Sequence, residues 1–221
     1  AAPVVSPARV SDFASQVFGE ALHKKRVTSV ANATLGVLQA ASLAVSTIGQ
    51  GLAISKGLHS KHAIKQVDRL FSNRGLDVNL LFASWVPFIL AERLEIVVVL
   101  DWTDFDADDH STLALSLVTS HGRSTPLLWK TVHKSKLAKR RNDFEDALLH
   151  RLREVIPDGV RTTILCDRGF ADKKLYEYLK TELGFDYIIR FRSSILVTDA
   201  NGQTRAAKDW IPKSKKTLKL H

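Results

Sequence analysis

The chain has 221 residues, of which 45% are hydrophobic and 25% charged, and its formal net charge is +9. This composition predicts a soluble globular protein of one domain or one and a half, and it excludes disordered, collagen-like and small disulfide-rich classes. The single cysteine, Cys166, cannot form an internal disulfide, and no secretory signal pattern is present, so we expect a reducing compartment. The apolar stretch 80–94 is interrupted and shorter than a membrane helix of about 20 residues, which predicts no membrane partner.

The positive charge is concentrated at the two ends of the sequence. Residues 1–90 carry nine basic and four acidic side chains, and residues 205–221 carry six and one. Residues 91–204 carry 17 basic and 18 acidic side chains and are almost neutral. Such a distribution favours nucleic acid as a partner, with a carboxylate function in the middle of the chain. The alternative is that the lysines and arginines are solvated and serve only solubility.

The first third of the sequence is predicted to be helical. From Ser11 to Leu70 the apolar residues recur at helical spacing, with expected breaks at Gly49–Gly51 and Gly57. Ser60 is the expected cap of a further helix, and residues 73–75 are its expected end.

From residue 95 the pattern changes to strands. An apolar run at 96–100 predicts a strand that is buried on both faces and ends at Asp101. Two further strands are predicted around 113–118 and 126–132, and then a helix with Asn142 as its cap. A strand at 162–166, a helix between Asp172 and Gly184, a strand at 185–191 and a hairpin at Asn201-Gly202 complete the prediction. The fold class is therefore α/β: a three-strand meander followed by βα units in a mixed, ribonuclease H-like sheet, preceded by an all-helical region.

Two acids occupy matching places in this pattern. Asp101 and Asp167 each follow an apolar strand directly, and ligands of open α/β sheets bind beyond the carboxyl ends of strands. If the two strands are neighbours, the carboxylates converge and can share Mg²⁺ or Mn²⁺, which prefer oxygen ligands. Two such ions would suit the cleavage or joining of phosphodiesters. The alternative for each acid alone is an exposed strand end or a helix cap.

Several basic residues are candidate contacts to DNA phosphates, although each could also be simply solvated. Arg168, beside the second acid, could hold a phosphate oxygen or pair with an acid. The C-terminal lysines 213, 215, 216 and 219 belong to the same class of candidate. The remaining candidates are Lys24, Lys25, Arg26, Lys61, Lys65, Lys134, Lys136, Lys139, Arg140 and Arg141.

Several segments together resemble DDE transposases of the insertion-sequence-four group. They are Val97–Phe105, Leu113–Val118, Gly122–Trp129 and Ile164–Phe170, with Lys61–Leu70 similar to the segment that precedes the catalytic core in that family. The resemblance implies that Asp101 and Asp167 are the first and second metal-binding acids of a transposase acting on transposon-end DNA. It also implies metal-dependent hydrolysis followed by strand transfer to target DNA, a homodimer in a synaptic complex, and a bacterial cytoplasmic, nucleoid-associated location.

The third acid of that family is a Glu that follows a β-rich insertion, and no Glu follows Glu182 here. We therefore interpret the chain as a fragment that alone binds metal weakly and cleaves poorly. The expected organisation is a helical DNA-binding region at 1–90, an incomplete catalytic core at 91–192 and the start of the insertion at 193–221. Two alternatives stay open: a non-catalytic DNA-binding remnant of a transposase, and a non-transposing nuclease of the same fold.

Two other constellations are weaker. Residues 104–109 are rich in aspartate, but Asp109 replaces the glycine that a calcium loop requires, so a solvated turn is expected, with Asp104 a minor candidate for a metal contact. His59 and His62 have ligand-like spacing without further ligands nearby, which favours capping and surface roles over zinc.

Overall fold

The computed structural model describes residues 6–190 and 192–211. The chain divides into two compact units, Ala1–Ala91 and Glu92–His221. Phe191 and the C-terminal lysines 213, 215, 216 and 219 lie outside the described residues.

The first unit is entirely helical in its described part. The helices share one apolar core, whose fully buried members include Ile48, Leu52 and Val67. In the described residues no single helix is long and apolar enough to cross a membrane, although α2 and α3, bent by 94° at their junction, pass that test of length and composition as a pair. The helices are α1 (Pro7–Phe18), α2 (Lys24–Ala40), α3 (Val45–Lys56), α4 (Ser60–Phe71) and α5 (Val78–Leu90).

Two helix boundaries differ from those expected from the sequence. The predicted break at Gly49–Gly51 is wrong, because these residues lie within α3 and allow close helix packing. A Cβ on Gly49 would lie 2.4 Å from the Cα of Ile64 in α4, so only glycine fits there. Ser60 is the first residue of α4, and the cap is His59 instead. The predicted break at Gly57 is confirmed, since this residue has a positive φ of 63°.

The second unit is built on a five-strand sheet in the order β3-β2-β1-β4-β5. Strands β1 to β3 are antiparallel neighbours, whereas β4 pairs in parallel with β1 and with β5. This arrangement confirms the predicted fold class of a meander followed by βα units. The elements are β1 (Glu95–Phe105), β2 (His110–Val118), β3 (Ser124–His133), α6 (Arg141–Val155), β4 (Arg161–Cys166), α7 (Lys173–Glu177), β5 (Asp186–Ile189), and the separate hairpin β6 (Leu196–Thr198) and β7 (Thr204–Ala206).

The prediction that β1 is buried on both faces is wrong. Ile96, Val98 and Leu100 are buried, whereas Val97 on the opposite face is 37% exposed. The reason is that both crossover helices cover the same face, as successive right-handed connections in one direction require. On that face Trp102 contacts α6 and Tyr187 stacks on Tyr176 of α7.

The two crossover helices begin at different kinds of cap. The prediction that Asn142 caps α6 is wrong, because the helix begins at Arg141 and Asn142 Nδ2 instead donates to Asp172 Oδ2, 3.1 Å away. Asp172 is confirmed as the cap of α7, where its Oδ1 accepts a hydrogen bond of 3.0 Å from Lys174 N. The helical segment continues as a π-helix over Tyr178–Glu182, and Gly184 comes two residues after it with φ 67°, as predicted.

Candidate active site

The pairing of β1 with β4 positions the two predicted acids next to each other. Leu100 of β1 is paired with Cys166 of β4, so Asp101 lies one residue beyond this pair within β1, and Asp167 directly follows the end of β4. Neighbouring strands lie about 4.8 Å apart, so the two Cα atoms are within reach of a shared ligand. The prediction that β1 ends at Asp101 is wrong, because the strand continues to Phe105 and pairs Asp101 with Ala114 of β2. Both aspartates are exposed to solvent.

Both aspartates line one cavity of about 420 Å³ at this edge of the sheet. Four carboxylates and one cation contribute to its wall, and so the cavity is acidic. It is lined by Asp101, Trp102, Arg141, Asn142, Glu145, Asp167, Gly169, Phe170 and Asp172.

Asp167 is held by the backbone that follows β4. Its Oδ1 accepts a hydrogen bond of 2.7 Å from Gly169 N and caps the short 3-10 turn Arg168–Phe170. A Cβ on Gly169 would lie 2.9 Å from that oxygen, so glycine permits the close approach. The turn therefore orients the carboxylate while Oδ2 remains an oxygen ligand for a cation.

Glu145 of α6 is a site residue that the sequence pattern alone did not reveal. It is only 9% exposed and accepts a hydrogen bond of 2.8 Å from Trp102 Nε1. Burial raises the pKa of the Glu145 carboxyl, and the bond from Trp102 opposes that shift. Arg141, one helical turn earlier, stacks over the Trp102 ring at 5.1 Å. The spacing of Arg141 and Glu145 by four residues is the signal that could have placed both on one face.

Cys166, immediately before the second acid, is a core residue. It is 3% exposed, and burial together with the nearby Glu145 and Asp167 charges raises the pKa of its thiol to about 12. A thiol that stays protonated at neutral pH is a poor nucleophile. Cys166 therefore supports the sheet and does not contribute chemistry to the cavity.

The predicted phosphate contacts are distributed unevenly around this cavity. Arg141 lines it, whereas the other basic candidates are not among its described lining residues. Lys134 pairs with Asp106, and Arg140 Nε pairs with Asp143 Oδ2 at 3.0 Å. Lys136, Lys139 and Arg168 lie on the segments that flank α6 and β4. Lys24, Lys25, Arg26, Lys61 and Lys65 lie on α2 and α4 of the helical unit.

The donor chemistry of the two aspartates fits a hard divalent cation, because both offer exposed carboxylate oxygens at adjacent positions. Within residues 6–190 and 192–211, no three His, Cys, Asp or Glu side chains are grouped closely enough to hold a metal ion. Two protein carboxylates with water and phosphate oxygens are a usual ligand set for Mg²⁺.

The strand order, with β4 parallel to β1 beside an antiparallel meander, defines the class as a ribonuclease H-like domain. Residues 92–219 match the family described as Transposase DDE domain, and since this is more than half of the chain, the chain belongs to that family. The family consists of transposases, enzymes that act on DNA and generally depend on divalent metal ions. No curated protein and no solved structure matches the chain significantly.

Proposed function

We propose that this chain carries the first two catalytic acids of a DDE transposase of the insertion-sequence-four group. The observation that carries the proposal is the register of β1 and β4, which sets Asp101 and Asp167 side by side at the wall of an acidic cavity. The reaction proposed is hydrolysis of a phosphodiester at a transposon end, followed by transfer of the freed 3′-hydroxyl to target DNA. The helical region 1–90 is proposed to bind DNA, residues 91–192 to form the core and residues 193–221 to begin an insertion.

The side chains of the cavity have distinct roles in this proposal. Asp101 and Asp167 would hold Mg²⁺ or Mn²⁺, and the bond from Gly169 N keeps the second carboxylate oriented for that purpose. Bound ions of this kind activate the attacking oxygen and stabilise the leaving oxygen of a phosphodiester. Arg141, fixed by stacking on Trp102, supplies a positive charge for a phosphate oxygen at the same wall.

The third acid of that group is a Glu, and no Glu follows Glu182 in the 221 residues. The 221 residues alone are then expected to bind metal weakly and to cleave DNA poorly. The proposed assembly is a homodimer that brings two DNA ends together in the bacterial cytoplasm, at the nucleoid.

Metal binding is the first test, because Asp101 and Asp167 should hold Mn²⁺ weakly without the third acid, and weak binding can be measured at a high Mn²⁺ concentration. We expect Mn²⁺ binding, followed by electron paramagnetic resonance of the free ion, to be lost in D101N and in D167N, while DNA binding is retained. D158N is the matched control, because Asp158 is an exposed aspartate in the loop before β4, outside the cavity. Equal Mn²⁺ binding by the wild type and the D101N/D167N double variant would overturn the site assignment.

The second test examines the products formed by a transposase that includes the third acid. With Mg²⁺ and labelled transposon ends, D101N and D167N should each lower cleavage by about a thousandfold or more, since each removes a ligand of the reacting ions. Joined products support the transposase. Nicks without joining would indicate a nuclease of the same fold, and DNA binding without metal binding would indicate a non-catalytic remnant.

A further inference from the structure

The helical unit contains a second concave surface, a cavity of about 630 Å³ between α2 and α4. Its lining includes three permanent cations from two helices, Arg26, Lys65 and Arg69, and no carboxylate in the described chain. His59, His62 and Gln66 add further hydrogen-bonding groups. We call this surface the basic groove.

The cations of the basic groove are not neutralised by the fold. Within residues 6–190 and 192–211, no carboxylate lies within salt-bridge distance of Arg26, Lys65 or Arg69, in contrast to Arg161 and Lys180 of the other unit, which pair with Asp186. Three like charges on one concave surface repel one another and concentrate a positive potential there. An anion that enters the groove relieves this repulsion, so the charge pattern points to a polyanionic ligand.

The groove is also built on fixed supports. Asn32, only 8% exposed, donates from Nδ2 to Gln66 Oε1 at 3.3 Å and accepts from Lys56 Nζ at 2.9 Å. This arrangement anchors Gln66 while its amide nitrogen remains a donor. Arg26 is accommodated by Gly75, where a Cβ would lie 2.9 Å from the guanidinium nitrogen Nη2.

The geometry favours the backbone of a nucleic acid over a free nucleotide. Lys65 and Arg69 are four residues apart on α4, so they form a row of charges along one helix face, opposite Arg26 of α2. The aromatic side chains among its described lining residues are those of His59 and His62, which pack edge to face with ring centroids 5.6 Å apart, and no Phe, Tyr or Trp lies there for a base to stack on. A row of cations without such a larger aromatic ring suits consecutive phosphates and reads no sequence.

We propose that the basic groove binds the sugar-phosphate backbone of DNA independently of sequence. This inference rests on the proposed function, because it assumes that the chain acts on DNA, and it adds where the helical unit holds that DNA. It also separates the basic side chains of α2 and α4 into two groups. Arg26, Lys65 and Arg69 contact phosphate, whereas the exposed Lys24, Lys25 and Lys61, which lie outside the lining, contribute little.

The test compares two variants of the 221-residue chain that lose the same charge from the same helices. The groove variant is R26Q/K65Q/R69Q, and the control is K24Q/K25Q/K61Q. Binding to a labelled duplex is followed by fluorescence anisotropy between 50 and 200 mM salt, with circular dichroism as the check of folding. We expect the groove variant to raise the apparent Kd at least about tenfold and to flatten the slope of log K against log salt by about 2.7, since each phosphate contact contributes about 0.9. The control should change both quantities clearly less than the groove variant does.

The outcomes separate this inference from the proposed function. An equal or larger loss in the control variant overturns the basic groove while leaving the transposase proposal intact. A loss that differs between a given duplex and its scrambled sequence overturns the sequence-independent role. If ATP binds and the groove variant abolishes that binding without changing DNA affinity, the ligand is a nucleotide and the inference is wrong. Failure of the Mn²⁺ test with D101N, together with the expected groove result, would overturn only the proposed function.

Discussion

The two units present concave surfaces of opposite charge. The cavity beside β1 and β4 is lined by four carboxylates and one arginine, whereas the basic groove between α2 and α4 is lined by three permanent cations and no carboxylate in the described chain. The uneven charge along the sequence is therefore expressed as two separate surfaces. A surface with excess carboxylates suits cations, and a surface with excess cations suits phosphates.

The two units also differ in how their surface charges are used. In the sheet unit several cations are paired, as Arg161 and Lys180 are with Asp186 and Arg151 Nη1 is with Glu154 Oε2 at 2.7 Å. Exposed pairs of this kind contribute little stability, so they mainly organise side chains. Among the described residues, no acid forms an ion pair with Arg26, Lys65 or Arg69 of the basic groove. This is why the proposed ligand site lies in the helical unit.

The largest expected change in stability comes from replacing a fully buried leucine in either unit. Leu52 of α3 and Leu152 of α6 are both 0% exposed, so replacing either by alanine should lower the free energy of unfolding of its own unit by about 2–5 kcal/mol. Hydrogen exchange is the measurement, because it reports local stability along the chain. We expect L52A to accelerate exchange in α2 to α4, and L152A to accelerate it in β1, β4 and α6.

A surface control and a clear contrary result accompany this pair. Leu43, 83% exposed between α2 and α3, provides L43A, which should change exchange little. If either core variant accelerated hydrogen exchange equally in both units, the two units would unfold as one cooperative core. They would then not be independent in stability, contrary to this prediction.

The sequence predicted the fold because its strongest signals are periodic. Apolar runs and alternation identified β1, β2, β3 and β4, and the order of strands and helices was sufficient to predict the sheet. It failed where the structure depends on which surfaces meet. The face occupied by α6 and α7 leaves Val97 exposed, and helix packing places Gly49 inside α3. Neither fact is present in the local pattern.

The candidate site was predictable only in part for a similar reason. Asp101 and Asp167 follow recognisable apolar runs, so their adjacency could be expected once the two predicted strands were taken as neighbours. The sequence pattern did not single out Glu145 as a site residue, because its burial depends on how α6 lies over Trp102. The basic groove combines Arg26 with α4, almost 40 residues later, and no spacing rule joins them.

The next prediction concerns Glu145, because burial destabilises its ionised carboxylate. Because the pKa of Glu145 is raised above its ordinary 4.5, the folded state binds a proton more tightly than the unfolded state does. The contribution of Glu145 to stability should therefore fall as pH rises from 4.5 through the raised pKa, and then level off. E145Q keeps an oxygen acceptor for Trp102 Nε1 and removes the charge, so it should be more stable than the wild type at neutral pH.

The measurement is urea unfolding of both proteins across this pH range. We expect the advantage of E145Q to vanish below pH 4.5, where the wild-type carboxyl is protonated in both states. Glu177, an exposed glutamate on α7, supplies E177Q as the control for removal of a surface carboxylate. A lower stability of E145Q at neutral pH would show that the ionised carboxylate is stabilised by its neighbours, contrary to the role of burial assigned here.

The smallest effect is expected at the exposed ion pairs that distinguish the sheet unit. Hydrogen bonds from Lys180 and Arg161 lower the pKa of Asp186 below its ordinary 3.8. The stability these bonds contribute is complete above pH 3.8 and is lost as pH falls through the lowered pKa. D186N should therefore lower Tm slightly at neutral pH, and the difference should shrink in acid and in high salt because exposed charges are screened. The control is D158N, since Asp158 has no such ion pair among the described residues. A Tm difference for D186N that does not depend on salt would mean that the substitution disturbs packing at the start of β5 and not an interaction between charges.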